Sequence, residues 1–501
     1  MLSSLFVSCA VALAAAAPSG AVPAGAAPAV SPDFNVPATS SSELPDWEDH
    51  IDGSVYDYTA TMAPETPYNF DYSNLLLGKL FMARPKPEGG SNVSLTFEDA
   101  LKVIKGIDEL SRGVQKIFYL VGWQYDGHDW KYPAFFEFNE ALKRPQDATA
   151  ADSYRWLREE AKKYNTTISV HVLLGDAYEN SPLWEHYLKN GFICRDKDGK
   201  PTPLAVFNGQ QVYNVNNTAE WKKGALQDRL TKLIELCDLK DAGTVHFDAF
   251  FGRPSPYDNL TALQMEETLR KVMRWLRSNG IDLTAEFFHN TERVDPFYGL
   301  QACAWWDDRT PYERVSMPKG LADGGNIGRF RRWDKDIFLF GDAYGAETDF
   351  NFVDRPGHTW GQAWNEARQG IATQLIPMLY YRQSKPVSYD DKAEKVIYEN
   401  GIVADWGKRT VTHGDLLLRD HDNTFFPLVQ TKDKKPEIMA YSKEGYTDRT
   451  WTLPADWRKV SSVKVLPLTE NGFGKATTLP VKNGAVTLSL QPNSIVILQK
   501  H

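Results

Sequence analysis

Thr244-Val245-His246-Phe247-Asp248-Ala249-Phe250-Phe251 sets an acid at the end of an apolar run that reads as a buried strand. A second run of the same design, Leu283-Thr284-Ala285-Glu286-Phe287-Phe288, places a glutamate 38 residues further on (286 − 248). Between them, Thr261 to Gly280 carries apolar residues at Leu263, Leu269, Val272, Met273 and Leu276, the spacing of a helix. Strand, helix, strand with an acid closing each strand is one repeat of a parallel α/β barrel. In that fold chemistry sits at the C-terminal strand ends.

The rhythm extends in both directions. Leu75 to Ala83, Gln115 to Val121 and Thr167 to Leu174 predict strands; Thr96 to Ser111, Ser153 to Tyr164 and Ala219 to Leu236 predict helices. An insertion is expected over Gly175 to Val215. After Glu286, Ala302 to Trp306 and Ile337 to Phe340 predict strands and Thr359 to Leu379 a helix. The expected fold class is therefore α/β: a (β/α)8 TIM-like barrel over residues 74–389, with a doubly wound open sheet as the alternative. No Gly-rich phosphate fingerprint follows the first strand, which counts against a dinucleotide-binding sheet. Short alternating strands over 390–501 predict a C-terminal all-β sandwich domain.

Residues 1–22 read as a signal peptide and 23–73 as a Pro/Ala leader and N-terminal arm, so a secreted protein is expected, extracellular or periplasmic. A net charge of −9, from 56 basic and 65 acidic residues, argues against nucleic acid or an anionic membrane as main partner. Aromatics make up 12% of the chain, with 15 Trp and 22 Tyr, a composition that leans toward sugar binding. Beyond Cys9 only Cys194, Cys237 and Cys303 remain, with no metal-ligand spacing. They are expected as three buried thiols or one bridge and a thiol. Sequons occur at Asn92, Asn165, Asn216 and Asn259.

Breaking a glycosidic bond takes two carboxyls, one ionised as nucleophile or base and one protonated to help the leaving oxygen depart. Asp248 and Glu286 meet that need, because neighbouring barrel strands end side by side. A structural role at a strand end is the alternative for either acid taken alone. After the second strand, Gly122-Trp123-Gln124-Tyr125-Asp126-Gly127-His128-Asp129-Trp130-Lys131-Tyr132-Pro133 packs donors, acceptors and aromatics into one loop. His128 and Asp129 are candidates to grip sugar hydroxyls, with Trp123 or Trp130 beneath the ring. A zinc site there lacks partner ligands at helical spacing, so no metal and no cofactor is expected.

This loop, with its Gly-His-Asp core and following Pro, resembles the signature of glycoside hydrolase family 101, the endo-α-N-acetylgalactosaminidases. The similarity continues through His171-Val172-Leu173-Leu174-Gly175-Asp176-Ala177-Tyr178-Glu179 and the Asp248 and Glu286 strands. Departures are the short chain, a Gly175-Asp176 pair where the family carries a slightly different polar pair, and an aromatic lid whose candidates are Trp184 or Trp305-Trp306. The resemblance implies a retaining double displacement, with Asp248 as nucleophile and Glu286 as acid/base. It implies an α-linked GalNAc or galactose glycan as substrate, Gal-β-1,3-GalNAc on Ser/Thr among them. Asp176, Trp305, Trp306, Asp307 and Asp342 are further candidates for substrate contacts. An exo-α-galactosidase or α-N-acetylgalactosaminidase is the nearest alternative; a non-catalytic carbohydrate-binding protein on the same barrel is another.

Overall fold

The computed structural model describes residues 51–286, 297–305, 310–317, 334–341 and 345–501. Six parallel strands form the central sheet: β1 (Leu76–Phe81), β2 (Lys116–Val121), β3 (Thr166–Leu173), β4 (Thr244–Asp248), β5 (Asp282–Ala285) and β6 (Cys303–Ala304). They pair in sequence order. The main connecting helices are α1 (Phe97–Ser111), α2 (Ala150–Lys162), α3 (Ala225–Cys237) and α4 (Ala262–Ser278). Helices α1, α2 and α4 open on capping boxes, Thr96 with Asp99, Thr149 with Asp152 and Thr261 with Gln264. Each pair satisfies two backbone N–H groups that the first turn would otherwise leave unbonded.

Strand alternation sorts the sheet into two faces. Val170, Val172, Val245, Phe247, Leu283 and Ala285 belong to the hydrophobic core. The alternate positions are polar: Ser169 and His171, then Thr244, His246 and Asp248, then Asp282, Thr284 and, just past the strand, Glu286. Register aligns His171 with His246 and His246 with Thr284. Lys79 of β1 reaches Glu286 beyond β5 at 3.1 Å. First and fifth strands meet in this way only if the sheet curls, so the polar positions line a concave interior.

Among the described residues six parallel strands form a curled half-barrel sheet, where a closed ring of eight was expected. Ile337 to Phe340, expected as a strand, is part of helix α5 (Asp334–Phe340). A four-residue apolar run has no periodicity that separates strand from helix. Tyr398 and Tyr381 hydroxyls donate to the Leu339 and Phe338 carbonyls near its end, at 2.8 and 3.4 Å. The expected helix Ala219–Leu236 is two helices, Asn217–Lys222 and α3, broken at Gly224, whose φ is +77°. Part of the insertion is a three-stranded antiparallel sheet.

Strands from Pro386–Asp390 to Ser494–Lys500 build an antiparallel eleven-stranded sheet, and a two-stranded ribbon (Tyr446–Thr452 with Ala485–Leu490) accompanies it. Glu437–Ser442 is buried at every position because both its faces are covered. Met439 and Tyr441 join the core shared with the α/β part, while Ile438 and Ala440 pack with Trp451 and Leu488 of the ribbon. Ser494–Lys500 repeats the pattern, with Ile495 and Ile497 on one side and Val496 and Leu498 on the other.

Cys194, Cys237 and Cys303 are buried and take part in no disulfide. Asn216 is buried and caps Asn217–Lys222 with its side chain, so that sequon is closed to modification. No helix of the described residues is long and apolar enough to cross a membrane.

Candidate active site

The concave face brings Asp248 and Glu286 together. Their charges act on each other, and both side chains are mostly buried, 16% and 13% exposed. Burial pushes the Asp248 carboxyl well above the ordinary carboxylate range. The Glu286 charge and its hydrogen bond add to the rise, and the Lys79 ammonium opposes it.

Lys79 sits under Glu286. Its ammonium lies 3.1 Å from Glu286 Oε1 and 4.9 Å from the centre of the Trp305 ring. Burial works against its charge, yet Glu286, then Glu347 and Asp248, raise its pKa overall. Glu347 is a third carboxyl of the cluster. Burial raises its pKa, Lys79 lowers it and Glu286 raises it again.

Three imidazoles complete the wall. His171 Nε2 is 3.4 Å from Asp248 Oδ2 and His128 Nε2 is 3.9 Å from the same oxygen. The rings of His171 and His246 stack at 5.1 Å. His246 Nδ1 is 2.9 Å from Thr284 Oγ1. Burial, aided by the positive charge of Lys79, pushes all three histidines well below their ordinary pKa, so they are neutral at pH 7. Arg84 also lowers His128, and the neighbouring imidazoles lower His171.

His128 and Asp129 arrive on a loop folded back against Ala83. His128 N donates to Ala83 O at 2.9 Å, and Asn208 Nδ2 reaches the carbonyls of His128 and Asp129 at 3.3 and 3.1 Å. Gly122 has φ +73°, and a Cβ there would lie 2.1 Å from Ala83 O, so only glycine permits this approach. Asp129 lies 3.3 Å from Arg84, and Arg84 also grips Asp354. Burial pushes the Asp129 carboxyl up to about 7, with Arg84 opposing and Asp176 adding to the rise.

The structure therefore unites Asp248, Glu286, His128 and Asp129, and corrects three other candidates. Trp123 is fully buried, its Nε1 donating to His171 O at 3.1 Å and its ring against Phe138. It is core beneath the loop and no platform for a sugar. Asp176 is buried and takes a 2.7 Å hydrogen bond from Arg253, so its carboxylate is spoken for. Trp305 is buried against Tyr119 and His246, where it floors Lys79. Trp306, Asp307 and Asp342 lie outside the described residues. Lys79, His171, His246 and Glu347 are site residues that the sequence-based candidates omitted; for the histidines, alternation of polar and apolar residues along β3 and β4 carried the signal.

His128–His171–Asp248 and His171–His246–Glu286 each bring their potential ligand atoms within 4.8 Å, a spacing open to a small cation. Lys79 already supplies a buried positive charge to these same groups. A divalent ion would face its repulsion, and the arrangement is that of a carboxyl pair with a fixed ammonium.

Residues 87–339 match the family model for glycoside hydrolase family 101, described as endo-alpha-N-acetylgalactosaminidase. The chain belongs to glycoside hydrolase family 101. Its matched segment includes β2 to β6 and both carboxyls. Among curated proteins, none matches this family-101 chain. Similar solved structures include ligand-free alpha-N-acetylgalactosaminidase NagBb from Bifidobacterium bifidum, at 12% identity and TM-score 0.48, covering 68% of this chain and 59% of that one. The GalNAc complex of NagBb gives 12% identity, TM-score 0.47 and coverages of 70% and 59%. A GH36 alpha-galactosidase, AgaA from Geobacillus stearothermophilus, gives 12% identity, TM-score 0.41 and coverages of 89% and 58%. The family-101 chain thus spans less than two-thirds of the length of these neighbours.

Proposed function

We propose that this chain is a retaining glycoside hydrolase acting on α-linked GalNAc or galactose glycans, with Gal-β-1,3-GalNAc on Ser/Thr among its substrates. The observation that carries this reading is the carboxyl pair Asp248 and Glu286, buried together at the ends of adjacent strands of a family-101 chain. Retaining pairs stand about 5–5.5 Å apart and inverting pairs about 6.5–9.5 Å, and two interacting acids closing adjacent strands support the first class.

In the mechanism, Asp248 attacks the anomeric carbon while Glu286 gives a proton to the glycosidic oxygen. A glycosyl ester forms on Asp248, and the aglycone leaves as its alcohol. Glu286 then takes a proton from water as that water displaces Asp248, restoring both groups. His128 Nδ1 and His246 Nε2 are buried with no hydrogen-bond partner among the described residues, and a sugar hydroxyl would satisfy such atoms. Asp129, beside His128, is the further hydroxyl contact. With the expected leader over residues 1–22, the same reading has the enzyme act outside the cytoplasm.

The test compares p-nitrophenyl α-glycosides of GalNAc, galactose and the core-1 disaccharide, with the product anomer followed by proton NMR. The expected result is release of the intact disaccharide, appearing first as the α-anomer. Turnover of monosaccharide glycosides alone would replace the endo reading with an exo one, and a first-formed β-anomer would exclude retention.

A further inference from the structure

The general acid must hold a proton when substrate is cleaved, yet Glu286 carries an ammonium at 3.1 Å. That ammonium is fixed. Lys79 is 3% exposed, extends from the middle of β1 and rests over the buried Trp305 ring. An ion pair this enclosed strongly favours the ionised carboxylate. With Glu286 ionised, its negative charge beside Asp248 favours the proton on Asp248. The substrate-free arrangement is therefore the reverse of the reactive one.

We propose that Lys79 is a positioning residue that holds Glu286 as the carboxylate of the pair before substrate binds. The inference rests on the Asp248–Glu286 assignment above. Conversion to the reactive form moves one proton from the Asp248 carboxyl to Glu286. The pair keeps its single negative charge, which passes from Glu286 to Asp248. Lys79 also acts on Asp248, so its charge stabilises the pair in either form. The groups around the ammonium are Glu286 and Asp248 at the strand ends, Glu347, the Trp305 face, and the imidazoles of His128, His171 and His246. Neutral imidazoles leave the carboxyls as the charges that decide where the proton sits.

Two substitutions test this through the pH profile of kcat/KM. Loss of the cation in Lys79→Met makes each deprotonation of the pair harder, so both limbs of the bell move to higher pH, by about 1–3 units. Loss of an anion in Glu347→Gln acts in the opposite sense and moves both limbs to lower pH. A role confined to packing scales activity without moving the bell. An unmoved bell in Lys79→Met, or displacement of both variants in the same direction, overturns the proposal.

A substrate-free measurement separates this inference from the functional reading. Water-soluble carbodiimide with a glycine ester labels protonated carboxyls, and peptide mass mapping locates the label. The unsubstituted protein is expected to label at Asp248 in preference to Glu286, with that preference lost in Lys79→Met. Equal labelling of both acids in the unsubstituted protein overturns the role of Lys79. The expected labelling in a protein that turns over no glycoside leaves Lys79 in place and removes the glycosidase reading instead.

Discussion

Asp248→Asn is expected to lower kcat on an α-linked core-1 glycoside by on the order of 10⁴-fold, with the fold intact. The amide nearly matches the carboxylate in shape, so packing among His171, His128 and Glu286 survives. What disappears is the nucleophile, and with it the glycosyl ester that divides one hard displacement into two easier ones. Substrate binding is expected to persist, because the hydroxyl contacts assigned to His128, His246 and Asp129 are untouched. Kinetics with isothermal titration of an uncleaved disaccharide analogue separates the two effects. An Asp248→Asn enzyme with undiminished kcat would remove Asp248 from the site.

The largest expected loss of stability lies behind the site, at Glu220. This carboxylate is fully buried and accepts from Arg229 Nη2 at 2.7 Å, Arg229 Nε at 2.8 Å, the Tyr187 hydroxyl and Asn217 Nδ2. Arg229, itself 2% exposed, also donates to the Pro133 and Leu174 carbonyls. It thereby ties the His128 loop to the end of β3. Glu220→Ala leaves that guanidinium buried without its counter-charge, at a cost of about 3–5 kcal/mol. Glu220→Gln keeps hydrogen bonds but not the charge and is expected to cost less. Thermal melts of both variants check the order, and equal midpoints for Glu220→Ala and the unsubstituted protein would contradict it.

The sequence announced the carboxyl pair because each acid closes an apolar run and the two runs lie one helix apart. It also announced the His128 loop, where glycines, polar groups and aromatics crowd into twelve residues. Other features were hidden for physical reasons. Thr244-Val245-His246-Phe247-Asp248 reads as an apolar stretch when its Val and Phe dominate, yet its odd-even alternation divides a helix-facing side from a polar interior. Lys79 looks like any strand lysine within Leu76-Leu77-Gly78-Lys79-Leu80-Phe81. Its meaning comes from Glu286, 207 residues away in sequence. Glu347 belongs to no strand or helix, so no periodicity marks it. Trp123 and Trp305 show the limit of counting aromatics, since residue type does not say whether an indole faces core or sugar. The helix at Ile337–Phe340 departs from the expected strand for a related reason: short apolar segments take their structure from tertiary contacts.

The central claim is that Asp248 attacks the sugar and Glu286 handles the proton. A 5-fluoro-α-galactosyl or 5-fluoro-α-GalNAc fluoride, which forms the glycosyl ester faster than it hydrolyses, tests this directly when the trapped protein is digested and mapped by mass spectrometry. The account predicts a single label on the peptide containing Asp248, and no trapping in Asp248→Asn. A label on Glu286 would reverse the two roles, and full turnover of the fluoride with no covalent adduct at any point would contradict a retaining mechanism at this pair.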